Sequence, residues 1–169
     1  MVRRQLLETH RSLVGKSLVG FEVDGVAYAV PIAAVREIAN PLPLTSLPHA
    51  PWAVVGVGDH RGEVVPVVDL RLRFGLGRFP DQRRTKWIFV QLEDRTLGLI
   101  VDKVTDVFGT GGALLKPPPV LGEGDDKRGI AGVVTHQGVL TFVLDVQRFR
   151  DLVEPLRGPA LLPAGEQKQ

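Results

Sequence analysis

Residues 57–70 resemble residues 133–146 at one constant offset, and this internal repeat constrains the fold more than any other feature. The segments share the pairs His60 and His136, Gly62 and Gly138, and Asp69 and Asp145, and the residues just before them, Gly56 and Gly132, also match. Upstream, residues 35–38 resemble residues 104–107 at a slightly different offset. A self-match of this kind indicates a duplicated structural unit.

Each unit contains about five short apolar runs that alternate with turn residues, as in the hairpin signal Asp24-Gly25. Five short antiparallel strands close most easily into a small barrel, which removes unpaired sheet edges. We therefore expect a mainly β fold of two five-stranded barrels related by duplication. Residues 145–156 predict a C-terminal helix with one apolar side.

The same pattern predicts the domain organisation. The two lobes are expected at about 17–75 and 85–156, and the Gly-, Arg- and Pro-rich residues 75–84 mark the boundary between them. Residues 1–16 predict a tail or a short helix, and residues 157–169 predict a loose tail.

Composition limits the class of protein. The chain has 169 residues, of which 44% are hydrophobic and 24% charged, a balance typical of globular domains. It has no cysteine, which excludes disulfides and thiolate metal sites and favours a reducing, cytoplasmic environment. No apolar run approaches the ~20 residues of a membrane span, so direct membrane insertion is not expected.

Catalytic and cofactor motifs are weak. The glycines at 56, 58 and 62 have the wrong spacing for a dinucleotide site, and β-type residues follow them. The four histidines lack the helical spacing of a zinc protease, and no serine lies on a strand-to-helix turn. The sequence therefore predicts no enzyme activity, no catalytic residue, no metal site and no cofactor.

The duplicated glycines and aspartates have a simpler interpretation. Gly56, Gly62, Gly132 and Gly138 are expected to allow bends and turns with positive φ. Asp69 and Asp145 are expected to cap short helices, because a duplicated catalytic residue would be unusual.

A basic cluster offers a second functional hypothesis. Six cations lie between residues 71 and 86 with only Asp81 opposing them: Arg71, Arg73, Arg78, Arg83, Arg84 and Lys86. Small barrels can bind single-stranded nucleic acid through basic grooves and aromatic rings. Against this alternative, the net charge is only +2, aromatic residues are 6% of the chain, and the cluster falls in the expected linker. No nucleic-acid partner is therefore predicted.

Residues 17–156 also resemble the CheW-like domain of chemotaxis coupling proteins. The resemblance rests on several pieces in family-like order, at residues 27–38, 44–51, 55–70, 97–107, 129–132 and 144–145. It implies two five-stranded Src-homology-3-like barrels. It also implies a stand-alone adaptor, because the chain has room for no kinase, phosphotransfer or receiver module.

The resemblance implies partners and a location. The expected partners are the cytoplasmic tip of a methyl-accepting chemoreceptor and the regulatory domain of a CheA-type histidine kinase. The protein would then be cytoplasmic and recruited to membrane-associated chemoreceptor arrays. No residues are assigned to the kinase-facing surface.

The resemblance also implies a receptor-binding surface formed by Val35, Glu37 and Arg61. Strand alternation predicts that Val35 and Glu37 share one face while Ile38 points inward. The family usually has Asn-Leu-Arg-Gly where this chain has Asp59-His60-Arg61-Gly62. The arginine is retained, whereas its neighbours are more polar.

Overall fold

The computed structural model describes residues 17–77, 80–111, 115–122 and 128–154. Within these ranges the chain is mainly β, as predicted. The expected tails at residues 1–16 and 157–169 lie outside them. The described strands are β1 Ser17–Val23, β2 Val26–Pro31, β3 Val35–Ala39, β4 Val54–His60, β5 Glu63–Asp69, β6 Lys86–Gln91, β7 Thr96–Val101, β8 Lys103–Gly109, β9 Ile130–His136 and β10 Val139–Leu144.

The helical elements are short. Helix α1 is Leu70–Arg73, and two 3-10 helices span Ile32–Ala34 and Val146–Leu152. The predicted helix over 145–156 is thus a 3-10 helix that ends at Leu152, and residues 155 and 156 lie outside the described ranges. Pro155 disfavours α-helical geometry at the residue before it, which limits the helix on that side. Asp69 and Asp145 occupy the N-cap positions of α1 and the second 3-10 helix.

The strands form two five-stranded sheets. Sheet A has the order β8-β1-β2-β10-β9, and sheet B has the order β3-β6-β7-β5-β4. Each sheet contains one parallel pair, β2 with β10 and β5 with β7, and its other pairs are antiparallel. The predicted mainly β fold with two five-stranded units is confirmed. The expected closed barrels are wrong, because both sheets are open: no backbone pairing joins their outer strands in the described part of the chain.

The two sheets do not coincide with the predicted lobes at 17–75 and 85–156. Sheet A combines β1 and β2 with β8, β9 and β10, whereas sheet B combines β3, β4 and β5 with β6 and β7. The sheets have equivalent orders when β1–β5 are matched to β6–β10, so the two repeats exchange strands. Very short connections enforce this exchange. Only Ile32–Ala34 separates β2 from β3, and only Asp102 separates β7 from β8.

Three apolar clusters stabilise this arrangement. The largest lies between the sheets and includes fully buried residues of both, such as Phe21 of β1, Val68 of β5 and Ile88 of β6. A smaller cluster around Leu18 and Val143 lies on sheet A, and another around Trp87 and Phe89 lies on sheet B. The shared cluster makes the two sheets one folding unit, because neither sheet can leave it without exposing apolar surface.

The hairpin turns follow the sequence signals. Asp24 and Gly25 both have positive φ and connect β1 to β2, which confirms the predicted hairpin. Arg61-Gly62 and Gln137-Gly138 have similar positive φ angles in the two copies of the repeat. At Gly56 an added Cβ would lie 2.5 Å from the Thr45 carbonyl oxygen, and at Gly132 it would lie 2.9 Å from that of Lys116.

Candidate functional site

Glu37, His60 and Arg61 meet at the outer edges of sheet B. Glu37 lies on β3 and His60 ends β4, so their contact joins the two outer strands of sheet B, which do not pair with each other. Arg61 follows in the turn. Its Nη2 lies 3.1 Å from Glu37 Oε1, and its Nε lies 3.1 Å from Glu37 Oε2. The structure therefore brings together Glu37 and Arg61, two of the three residues predicted for receptor binding.

The local sequence presents Arg61 to solvent. Arg61 has a φ of 54°, and the backbone N–H of Gly62 donates to Asp59 Oδ1 at 2.8 Å, which closes the turn. The Arg61 side chain is 78% exposed, whereas that of His60 is 9% exposed. A guanidinium that is fixed at one end by a carboxylate and otherwise open can still donate to a partner.

His60 anchors this arrangement. Its ring stacks on Phe89 of β6 with 4.0 Å between the ring centroids, and its Nε2 hydrogen-bonds to Glu37. The sequence pattern predicted no role for His60 or Phe89. The repeat was the available signal. His136 matches His60 in the second copy, and a second carboxylate, Asp106, matches Glu37.

Val35 lies apart from this group. It is half-buried and packs against the apolar cluster between the sheets, whereas Glu37 contacts His60 on the other side of sheet B. The expected common face of Val35 and Glu37 is wrong, because the pairing of β3 with β6 has a register irregularity between these residues. Ile38 is 38% exposed, so the expectation that it points inward is also wrong.

Arg36 adds a second charged group, which the sequence pattern did not predict. Its Nη1 donates to Glu63 Oε2 at 3.3 Å and also to the Thr96 hydroxyl. Glu63 begins β5 directly after the Arg61-Gly62 turn. The edge of sheet B therefore carries two arginines, each paired with a glutamate.

Two hydrogen-bond partners change the acidity of Glu37. The hydrogen bond from His60, followed by that from Arg61, holds the pKa of the Glu37 carboxyl below its ordinary value. A carboxyl with a lowered folded-state pKa contributes stability above its unfolded pKa, and this contribution is lost as the pH falls through the folded value. The Glu37 contacts should therefore be intact at neutral pH and weaken only in acid.

We expect His60→Leu to raise the Glu37 pKa more than Arg61→Ala does, because the His60 hydrogen bond is the larger cause of the shift. Leucine fills this buried position with a side chain of comparable size but removes the hydrogen-bond donor. Carboxyl-carbon NMR titration of the two variants and the parent chain would measure the three pKa values. Equal Glu37 pKa values in the His60→Leu variant and the parent would contradict the assignment.

Part of the basic cluster is used in structural ion pairs. Arg71 donates from Nη2 and Nε to the Asp102 carboxylate at 2.6 and 2.8 Å. The Arg73 side chain is only 4% exposed and donates to Asp151. Lys86 donates to the side-chain oxygen of Asn40, and Arg78 lies outside the described residues. Arg83 and Arg84 are exposed, so they are the described cluster members most open to a partner.

The described residues contain no group of three or more His, Asp or Glu side chains arranged to hold a metal ion. Among the same residues, no helix has the length and apolar character needed to cross a membrane.

Comparisons with known proteins identify the family. A family model described as "CheW-like domain" matches residues 17–153. The chain is 32% identical over 137 residues to the chemotaxis protein CheW of Rhizobium meliloti, which covers 81% of this chain and 88% of that protein. It is 31% identical to the protein FrzA of Myxococcus xanthus, over 70% of this chain and 73% of that protein.

A solved structure shows the same fold. The scaffolding protein TtCheW from Thermoanaerobacter tengcongensis superposes with a TM-score of 0.71 and 27% sequence identity. The match covers 78% of this chain and 89% of that one. The match to the family model includes all ten described strands and the edge formed by Glu37, His60 and Arg61. The chain belongs to the CheW-like family.

Proposed function

We propose that this chain is a non-enzymatic adaptor that couples methyl-accepting chemoreceptors to a CheA-type histidine kinase. The observation that carries the proposal is the family match over residues 17–153. Two further findings support it: relatives in several bacteria are named chemotaxis proteins, and the structural relative is named a scaffolding protein. Such an adaptor acts by holding its partners in position and needs no chemistry of its own.

The proposed receptor surface comprises Val35, Glu37 and Arg61. Arg61 supplies an exposed guanidinium whose orientation is fixed by the Glu37 carboxylate. This pre-organisation lowers the entropy lost on binding, because the long side chain is already held in one position. Val35 begins the same strand and packs against the apolar cluster between the sheets, so its proposed part in the surface is to hold β3 in position.

Each contact of an adaptor in an array needs only a modest binding affinity. Each interface can be individually weak if many copies bind together, since linked sites raise the effective concentration of every partner. A signal then passes as a small relative shift of the bound proteins. The protein would work in the cytoplasm, at arrays of receptors whose tips project from the membrane.

A pull-down from the native cytoplasm tests this function. The tagged chain should retain both a CheA-type kinase and chemoreceptors, identified by mass spectrometry, while a tag alone retains neither. Failure to recover either partner with a correctly folded chain would overturn the proposed coupling role. The family assignment and the two-sheet fold would be unaffected by that result.

A further inference from the structure

Sheet A carries a second copy of the Glu37 site. Matching β3 to β8 and β4–β5 to β9–β10 places Asp106 at the position of Glu37 and His136 at that of His60. His136 Nε2 lies 2.8 Å from Asp106 Oδ2, and this contact again joins the two outer strands of the sheet, which do not pair with each other. The His136 ring also stacks on an aromatic residue, Phe108, with 3.7 Å between the ring centroids.

The second copy lacks both arginines of the first. Gln137 occupies the turn position of Arg61, with a φ of 50° against 54°, and Thr105 occupies the position of Arg36. Among the described residues, Asp106 accepts hydrogen bonds from Thr105 and His136 and has no arginine or lysine partner. Its side chain is 41% exposed. Glu37 of sheet B therefore binds a guanidinium of its own chain, whereas its equivalent in sheet A, Asp106, has no such partner among the described residues.

A groove lies over this carboxylate. It has a volume of about 430 Å³, and its lining includes Glu22, Tyr28, Asp106, His136, Gln137 and Val139. Glu22 forms an ion pair with Lys103 at 2.5 Å, which leaves Asp106 as the carboxylate of the groove without a permanently cationic partner. Val139 is 53% exposed and supplies an apolar wall. We call this region the Asp106 groove.

We propose that the Asp106 groove binds an arginine side chain of a protein partner. Sheet B provides the template within the same molecule, because Arg61 contacts the equivalent carboxylate with Nε and Nη2. A carboxylate and a guanidinium form paired, charge-assisted hydrogen bonds that a lysine ammonium cannot reproduce. The methylene stem of the arginine would pack against Val139, as long cationic side chains do on apolar surfaces.

This inference is independent of the proposed receptor surface, which lies on the other sheet. Loss of arginine binding at the Asp106 groove would leave the Arg61 surface intact. Conversely, a failure of receptor coupling would not remove the groove or its open carboxylate. The two proposals can therefore fail separately.

Amide NMR titration of the full chain with N-acetyl-arginine amide tests the inference. We expect saturable shifts concentrated at residues 105–108 and 136–139. The matched probe is N-acetyl-citrulline amide, which has a similar shape but no charge, and it should cause much smaller shifts. Equal responses to the two probes, or shifts spread evenly over all acidic residues, would overturn the proposal.

Two variants locate the binding. Asp106→Asn should weaken binding of the arginine probe by about ten-fold or more, the loss expected when a charge-assisted pair is removed. Gln137→Arg should weaken it as well, because a guanidinium at this turn can occupy the carboxylate from within the chain. Glu63→Gln removes a paired, exposed carboxylate on sheet B and should leave the affinity unchanged. Unchanged affinity in either groove variant would refute the assignment.

Discussion

Two fragments of this chain, residues 1–77 and 78–169, are expected to be unfolded when separate and to fold together when mixed. The first fragment contains β1–β5, which belong to different sheets: β1 and β2 lie in sheet A, and β3, β4 and β5 lie in sheet B. In the intact chain β3 pairs with β6, and β5 pairs with β7, both from the second fragment. Each fragment alone would expose long unpaired strand edges and half of the shared apolar cluster.

The short connections prevent each fragment from forming a barrel by itself. Such a barrel would require β8 to turn back and pair beside β6, in the way that it pairs beside β1 in the intact chain. Only Asp102 connects β7 to β8, which is too short for a strand to reverse and cross to the far side of β6. The Ile32–Ala34 connection limits β3 in the same way in the first fragment.

Circular dichroism and thermal unfolding of each fragment and of the mixture would measure this dependence. The mixture should regain the β signal, and its midpoint temperature should rise with concentration because assembly is bimolecular. A matched control is the full chain with a protease site between residues 77 and 78, which should stay folded after cleavage. Cooperative unfolding of either isolated fragment would contradict the prediction.

The strand exchange marks the limit of what the repeat could reveal. Hydrophobic patterning and turn residues predict the strands, and the self-match predicts two equivalent sheets. Pattern alone does not say which copy a strand joins, because β1–β2 and β6–β7 offer equivalent edges to β3 and β8. The connection lengths contain that information, since three residues or one residue leave little room to turn back.

The sequence predicted only part of the candidate site. Resemblance to the family indicated Glu37 and Arg61, and the structure places them in contact. Alternation failed for Val35, because a register irregularity separates it from Glu37. Ile38 follows that irregularity in regular register, and it is exposed on an outer strand that has only one neighbour. His60 and Phe89 contact each other across strands that are distant in sequence, and a local pattern cannot report such a pair.

Charge reversal at Arg61 is expected to remove receptor binding while leaving the fold and kinase binding intact. In Arg61→Glu the new carboxylate would face Glu37, so the fixed guanidinium is replaced by two like charges. An arginine at the centre of an interface commonly contributes about 2 kcal/mol, so receptor affinity should fall by roughly 30-fold or more. Since Arg61 is 78% exposed, the free energy of unfolding should change by only about 0.5 kcal/mol.

Binding to receptor-tip fragments and to the kinase regulatory domain, measured by calorimetry on the same preparations, would separate the two functions. The matched control is Gln137→Glu, which adds a negative charge at the equivalent turn of the second repeat, where φ is 50°. This variant should bind receptors as the parent chain does. Equal losses in the two variants would mean that overall charge, and not the Arg61 surface, controls receptor binding.

The exchange of charges between Glu37 and Arg61 distinguishes a structural ion pair from a recognition surface. If the pair only holds β3 to the turn after β4, the double variant Glu37→Arg with Arg61→Glu should recover much of the lost receptor affinity. If the exposed guanidinium itself contacts the receptor, the double variant should stay weak, because the outward-facing charge is still negative. We expect the second result, since an exposed pair contributes little to folding and most of the Arg61 side chain is open to solvent.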